Sequence, residues 1–327
     1  MRIKNHLFRV LILIFFLLPV LTACGSDGEI QKVGMLVENT IQDQTWGNKG
    51  YRGLLQIKEE FNTDVYFKEG VTTQQEVNRA VNEFVNKGVN LIYGHSSSYG
   101  KYFVEINENY PDVQFVYFNG GYYDDNVTSL NFNALAMGFF GGMVAGEMTE
   151  TNHIGLIGSF GWQPEIEGFF EGVKYKNQDA QVHMNYVNSW DDTERAMKIY
   201  QEMKRKNVDV VYPAGNSFSV PIINQAIADG LYAIGYVSDQ SSLSEETVLT
   251  STVQQVEQLY LLSAKKFDAG ELEGKVLTFD FQDDVISMGD YSPEVPNTLT
   301  KEVEMAINTY IETGLLPNEK EQKRTGN

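Results

Sequence analysis

Beyond residue 30 the chain alternates short apolar runs with amphipathic stretches. Val33-Gly-Met-Leu-Val37 predicts a strand, and the stretch from about Trp46 to Phe61 predicts a helix. Asp64 to Phe67 is a second strand. Val77, Ala80, Val81, Phe84 and Val85 then recur at helical spacing, and Gly88 ends that helix. Leu91 to Tyr93, a helix from Lys101 to Asn109, and strands at Gln114 to Phe118 and Val127 to Phe132 complete a first set. A second set opens with a helix from about Ala134 to Met148. Strands follow at His153–Ser159, Gln181–Val187, Val208–Tyr212, Tyr232–Val237 and Val248–Val253. Between them run helices at Glu165–Lys176, Asp191–Lys206 and Ser219–Asp229. The remainder predicts a helix from Val256 to Ala269, strand-like stretches at Val276–Phe281 and Val285–Met288, and a last helix from Leu299 to Thr313.

Strands that alternate with helices predict parallel sheets covered on both faces. A chain of 327 residues is too long for one small core and suits two lobes. The expected fold class is therefore α/β, with two Rossmann-like lobes joined by a hinge. Residues 31–133 with about 251–283 are assigned to lobe 1, and 134–250 with about 284–315 to lobe 2. Residues 316–327 read as a polar tail.

The first residues follow a different rule. Arg2, Lys4 and Arg9 form a basic start, and Val10 to Leu21 is almost wholly apolar. That run is shorter than the roughly 20 residues that span a bilayer, so it reads as a secretory leader, residues 1–23. Leu21-Thr22-Ala23-Cys24 resembles the lipobox of bacterial lipoproteins, in which the cysteine is acylated and becomes the new N-terminus. The alternative is an ordinary leader in which Cys24 is incidental. Residues 24–30 would then be a lipidated tether that anchors the chain to the outer face of the cell membrane.

Charge narrows the range of partners. The chain carries a formal net charge of -19, and loss of the leader removes three positive charges and no negative one, which gives -22. Such a surface repels phosphate backbones, so direct nucleic-acid binding is not expected. Cys24 is the sole cysteine and only four histidines occur, without zinc-like spacing, so neither a disulfide nor a structural metal is expected.

Little in the chain points to catalysis. No phosphate-cradling loop or dinucleotide glycine pattern follows a strand. Gly94-His95-Ser96-Ser97-Ser98 lacks the second glycine of a nucleophile elbow, and no base accompanies it. Asp191-Asp192 is accounted for as a helix cap and Asp283-Asp284 as an exposed turn. Gly138, Gly142 and Gly146 recur every four residues, which predicts close approach of that helix to a neighbour. No catalytic residue and no cofactor is assigned.

Open α/β sheets bind ligands beyond the carboxyl ends of their strands. The loops expected to face a cleft are Glu38–Trp46, His95–Tyr99, Asn119–Tyr122, Phe160–Pro164, Ala214–Phe218 and Ser238–Gln240. From them come the candidate ligand-binding residues Asp43, Trp46, His95, Trp162, Gly215, Phe218, Asp239 and Gln240. Two aromatics facing across a cleft sandwich a small planar ligand. For each of Trp46, Trp162 and Phe218 the alternative is packing within its own loop.

At these loops the sequence resembles the basic membrane protein family of lipoproteins, which includes purine nucleoside receptors of ABC importers. Val33-Gly-Met-Leu36 followed by Asp43-Gln-Thr-Trp46, Tyr110-Pro-Asp-Val113, Asn126-Val-Thr-Ser129 and Met137-Gly-Phe-Phe-Gly-Gly142 fall in the family's order. So do Pro164 with Phe169 to Gly172, and Ile234-Gly-Tyr-Val-Ser-Asp-Gln240 with Val248-Leu-Thr-Ser251. Lys68-Glu-Gly70, Gly88-Val-Asn-Leu91, Asp209-Val-Val-Tyr-Pro-Ala-Gly215 and Gly230-Leu-Tyr-Ala-Ile-Gly-Tyr236 resemble a regulatory branch, the positive regulators of competence. The resemblance implies a type I periplasmic-binding-protein-like fold. It also implies a positive regulator of competence gene expression, and the acidity and expected export of the chain make that effect an indirect one, through a ligand, an ABC permease or a membrane signalling partner. The alternative is a solute receptor of an importer for a nucleoside or another small solute. Two departures bear on the ligand: Val237 stands where the nucleoside receptors carry an aspartate, and Gln254 where they carry a lysine.

Overall fold

The computed structural model describes residues 29–42 and 45–320. The leader, Cys24 and Asp43 lie outside the described residues, as does the end of the polar tail.

Two six-stranded sheets carry the molecule. The first has the order β11-β5-β4-β3-β1-β2, all parallel, from β1 (Lys32–Leu36), β2 (Asp64–Lys68), β3 (Leu91–Gly94), β4 (Gln114–Phe118), β5 (Val127–Phe132) and β11 (Val276–Phe279). The second repeats that order as β12-β10-β9-β8-β6-β7. Its strands are β6 (His153–Gly158), β7 (Gln181–Tyr186), β8 (Val210–Ala214), β9 (Tyr232–Val237), β10 (Val248–Gln254) and the antiparallel β12 (Ile286–Met288). The central strands β3, β4, β8 and β10 are buried along their whole length, as strands of a sheet covered on both faces must be. Helices α1 (Trp46–Phe61), α2 (Gln74–Asn86) and α3 (Tyr99–Val104) accompany the first sheet. Helices α4 (Ala134–Met148), α5 (Pro164–Lys176), α6 (Thr193–Lys204) and α7 (Ser219–Asp229) accompany the second.

Among the described residues the chain passes between the sheets after β5, after β10, and between β11 and β12. β10 stays in the second sheet through Gln254, so the middle passage lies beyond the boundary near 251 read from the sequence. Helix α8 (Val256–Asp268) then returns to pack on α1, while α9 (Asn297–Thr313) packs on α4. One apolar core runs through both lobes, joining Leu54 and Tyr93 to Phe139 and Ile234, and a smaller cluster fills the outer side of each lobe. Leu316 is buried in the large core, so the segment expected as a polar tail begins by packing. The helix expected over 101–109 stops at Val104, where the chain bends so that the Asn107 side chain donates to Asn126 Oδ1 at 2.9 Å.

Helix α4 has no polar face, and 12 of its 15 residues are buried, which makes it the central helix of the fold. Its contact with α5 is made backbone to backbone. A Cβ placed on Gly138 would lie 2.1 Å from the Glu165 carbonyl oxygen, and one on Gly142 2.2 Å from that of Phe169. The approach is reciprocal: Gly168 would meet Leu135 O at 1.9 Å and Gly172 would meet Phe139 O at 1.9 Å. The expectation drawn from the glycines of α4 is met, and α5 supplies the matching pair.

Alanine at Gly172 cannot be accommodated unless the helices separate. Gly172→Ala is expected to cost more than about 3 kcal/mol in thermal or denaturant unfolding. Gly121→Ala is the control, since a Cβ there meets no atom within 4 Å, and its stability should be unchanged.

Candidate ligand-binding site

A cavity of about 490 Å³ lies between the lobes at the carboxyl ends of both sheets. The loops after β1, β3 and β4 of the first sheet and after β6, β7 and β8 of the second form most of its wall, together with the ends of β5, β9 and β10. All three tryptophans of the chain border it: Trp46, Trp162 and Trp190.

Trp46, the first residue of α1, is held rigidly. Its indole N–H donates to the His95 carbonyl at 3.1 Å, and its ring stacks on the His95 imidazole at 4.6 Å and 14°. Phe118 and Phe132 meet the indole edge-on. His95 returns the bond. Its Nε2 lies 2.7 Å from the Trp46 carbonyl, which can only accept, so Nε2 carries the proton and Nδ1 accepts from the Tyr260 hydroxyl at 3.0 Å. Both ring nitrogens are thus engaged, and burial lowers the imidazole pKa to about 4. His95 is a neutral buttress for Trp46 and not a free ligand for a solute.

The opposite wall comes from lobe 2. Trp162 is 62% exposed, stacks on Phe160 at 5.4 Å and 15°, and meets Trp190 edge-on at 5.9 Å. Beside it lies a buried polar group. Glu165, in the first turn of α5, receives hydrogen bonds on Oε1 from Gln163 Nε2 at 2.9 Å and the Tyr236 hydroxyl at 3.0 Å. Burial pushes its carboxyl pKa upward, against these donors.

The lobes are tied across the cavity mouth. Asn39 Nδ2 of lobe 1 donates to Asp191 Oδ2 at 2.8 Å, and Ser217 holds Oδ1 of the same carboxylate. Thr45 Oγ1 donates to the Asn216 carbonyl. At the passage after β10, buried Lys49 donates to the Gln254 carbonyl at 3.0 Å and pairs with Glu257 at 3.3 Å. Desolvation lowers the Lys49 pKa, against the attraction of Glu257.

Of the residues chosen from the sequence, Trp46, His95 and Trp162 meet in this cavity. Its described wall does not include Gly215, Phe218, Asp239 or Gln240. The Phe218 ring is buried in the outer core of lobe 2, and Gly215 is the small residue that makes room for it. Asp239 and Gln240 are carried away by the backbone at Val237. Its φ of +65° is strained for a β-branched residue, and Ser238 N–H donates to Tyr236 O at 2.7 Å, closing a three-residue turn. Beyond that turn Gln240 bonds Tyr236 N and Ser219 Oγ, while Asp239 accepts from Ser241, Ser251 and Asp290. Sequence reasoning missed Trp190, Glu165 and Tyr236. Asp191 was read as a helix cap with Asp192; Asp192 does cap α6 through Arg195 N, whereas Asp191 closes the cleft.

The comparisons with known proteins agree with this architecture. The model of the Bmp family, described as ABC transporter substrate-binding protein PnrA-like, matches residues 30–320. The chain belongs to this family. It is 49% identical over 310 residues to the "Transcriptional activator protein med" of Bacillus subtilis (strain 168), covering 94% of this chain and 98% of that one. A crystal structure titled as a transcriptional activator of the comK gene from Bacillus halodurans superposes with a TM-score of 0.83 at 46% identity, covering 88% and 99% of the two chains. An ABC transporter solute-binding protein from Aeropyrum pernix K1 shares the fold, with a TM-score of 0.71 at 19% identity over 88% of this chain and 81% of that one. The fold is that of the type I periplasmic binding proteins, as the family resemblance implied.

His95 gives the site a pH signature. Its folded-state pKa, about 4, lies below the ordinary value of 6.5. The neutral ring therefore supports the fold above pH 6.5, and that contribution is lost as pH falls from 6.5 towards 4. Between pH 7 and pH 4 the wild type is expected to lose about 3 kcal/mol more stability than His95→Gln, measured by urea unfolding at each pH.

Proposed function

We propose that this Bmp-family chain is a lipid-anchored, extracytoplasmic binding protein that promotes competence gene expression indirectly. The observation that carries this reading is the 49% identity to a named transcriptional activator across nearly the whole of both chains. The aromatic cavity between two lobes supports a ligand-responsive mode of action, because a ligand that touches both lobes favours their closed arrangement. The net charge of -19 argues against promoter contact by the chain itself, and the regulatory signal passes instead through a membrane partner or an ABC permease. No helix among the described residues is long and apolar enough to cross a membrane; the proposed anchor is a lipid on Cys24, on the strength of the lipobox-like Leu21-Thr22-Ala23-Cys24.

The second reading, a solute receptor that serves an importer, draws on the family description. Val237 in place of an aspartate, and Gln254 held at its carbonyl by Lys49, set this cleft apart from the nucleoside-receptor pattern. Asp43, which lies outside the described residues, remains a candidate from the sequence under either reading.

In cells carrying a competence-promoter reporter, Cys24→Ser is expected to abolish palmitate labelling and to reduce activation by about tenfold, in line with anchoring by acyl chains. A variant without residues 1–24 that stays in the cytosol and activates fully would overturn the indirect reading. So would a gel shift of promoter DNA by the purified chain that weakens steeply with salt.

A further inference from the structure

The charged side chains of the described cavity wall are all of one sign, and Lys49, which donates to the carbonyl of the wall residue Gln254, is paired with Glu257. Glu38 stands on the lobe 1 wall, Glu165 and Asp191 stand on the lobe 2 wall, and the described wall contains no lysine or arginine. Each of the three carboxyl groups is held by neutral donors: Glu38 by the Ser98 hydroxyl, Glu165 by Gln163 and Tyr236, and Asp191 by Asn39 and Ser217. The single imidazole in the wall is locked neutral by Trp46 and Tyr260. Glu165 is 4% exposed, so little water competes for its carboxyl. Trp46, Trp162 and Trp190 line the same cavity, and tryptophan is the side chain that attracts cations most strongly through its ring.

We infer that the cleft selects a flat organic cation, with Glu165 as the residue that recognises its charge. This rests on the reading of the cavity as a ligand site, and adds the chemical class of the ligand. An anion would face acids on both walls, and a neutral base or nucleoside offers Glu165 nothing that favours the ionised carboxylate against its burial, as a cation does. A positive charge held between Glu38 on one lobe and Glu165 on the other favours the closed arrangement that Asn39 and Asp191 already tie at the mouth. The acidity of the whole molecule draws such a ligand in from a distance.

All three tryptophans lie in the cavity wall, so intrinsic fluorescence reports binding without a label. The test uses the full chain in mild detergent and two matched pairs of probes: 1-methylnicotinamide against nicotinamide, and 1-methyladenosine against adenosine. Within each pair the ring is the same and the charge differs. The cationic member is expected to bind at least about tenfold more tightly than its neutral counterpart, as a desolvated charge pair and cation–π contact require. Glu165→Gln should bring that ratio close to one while melting at or above the wild-type temperature. Trp162→Ala, at an exposed position, should weaken both members of each pair. Should Glu165→Gln fail to fold, the wild-type ratio together with Trp162→Ala decides the matter. Equal or tighter binding of the neutral probes overturns the inference and leaves ligand binding standing. A ratio that survives in folded Glu165→Gln removes the role of Glu165. No fluorescence change with any probe at millimolar concentration overturns the inference and the ligand-site reading together.

Discussion

Helices α4 and α5 touch through their backbones, and the geometry of the cleft follows from that contact. Gly138 and Gly142 on one helix, and Gly168 and Gly172 on the other, each bring a carbonyl to within a distance that no Cβ tolerates. The first of these carbonyls belongs to Glu165. The start of α4 borders the cavity through Ala134, at the passage from lobe 1. The same contact therefore fixes where the N-terminus of α5 stands relative to the hinge. Gln163, Glu165 and Tyr236 meet as a result. A looser helix pair would place the buried carboxyl elsewhere, and tight packing has little room to yield.

The two walls of the cleft are built by different means. Lobe 1 presents a rigid unit in which Trp46 and His95 each donate to the other's carbonyl and stack face to face. Lobe 2 presents an aromatic group that packs mainly on itself and leaves Trp162 in solvent. A fixed wall opposite a more exposed one suits a site that closes on its occupant. The links between the lobes differ in the same way. Lys49, Gln254 and Glu257 form a buried joint at the hinge, while Asn39 and Asp191 meet at the mouth. Breaking the first would strand a charge in the interior, whereas the second exchanges readily with water. The structure is thus firm at the hinge and releasable at the mouth.

Acidity connects the cleft to the function proposed for the whole chain. A surface of this sign repels nucleic acid, and for that reason the function proposed above runs through an indirect route. The departure at Val237 belongs to the same picture. A strained turn stands there in place of a carboxylate, and the carboxylates of the described wall come from Glu38, Glu165 and Asp191.

Local pattern was enough to determine much of this protein. Alternating strands and helices identified two parallel α/β lobes, because period and breakers are properties of neighbouring residues. The glycines of α4 announced a close helix contact, and the ends of the strands located the cleft, including Trp46, His95 and Trp162. Pairing across distance was not legible. Asp191 and Asp192 are adjacent and chemically alike, yet one caps a helix and the other reaches Asn39, 152 positions away. Asp239 and Gln240 belong to a motif that reads as a site, but a positive φ at Val237 turns them back into their own lobe. Glu165 follows a proline at a helix start and reads as an ordinary first-turn acid; only the approach of α4 and Tyr236 buries it beside the cavity. The sequence determined which elements form and where a cleft opens. Tertiary structure alone decided which polar side chains face it, because that depends on contacts between segments far apart in the chain.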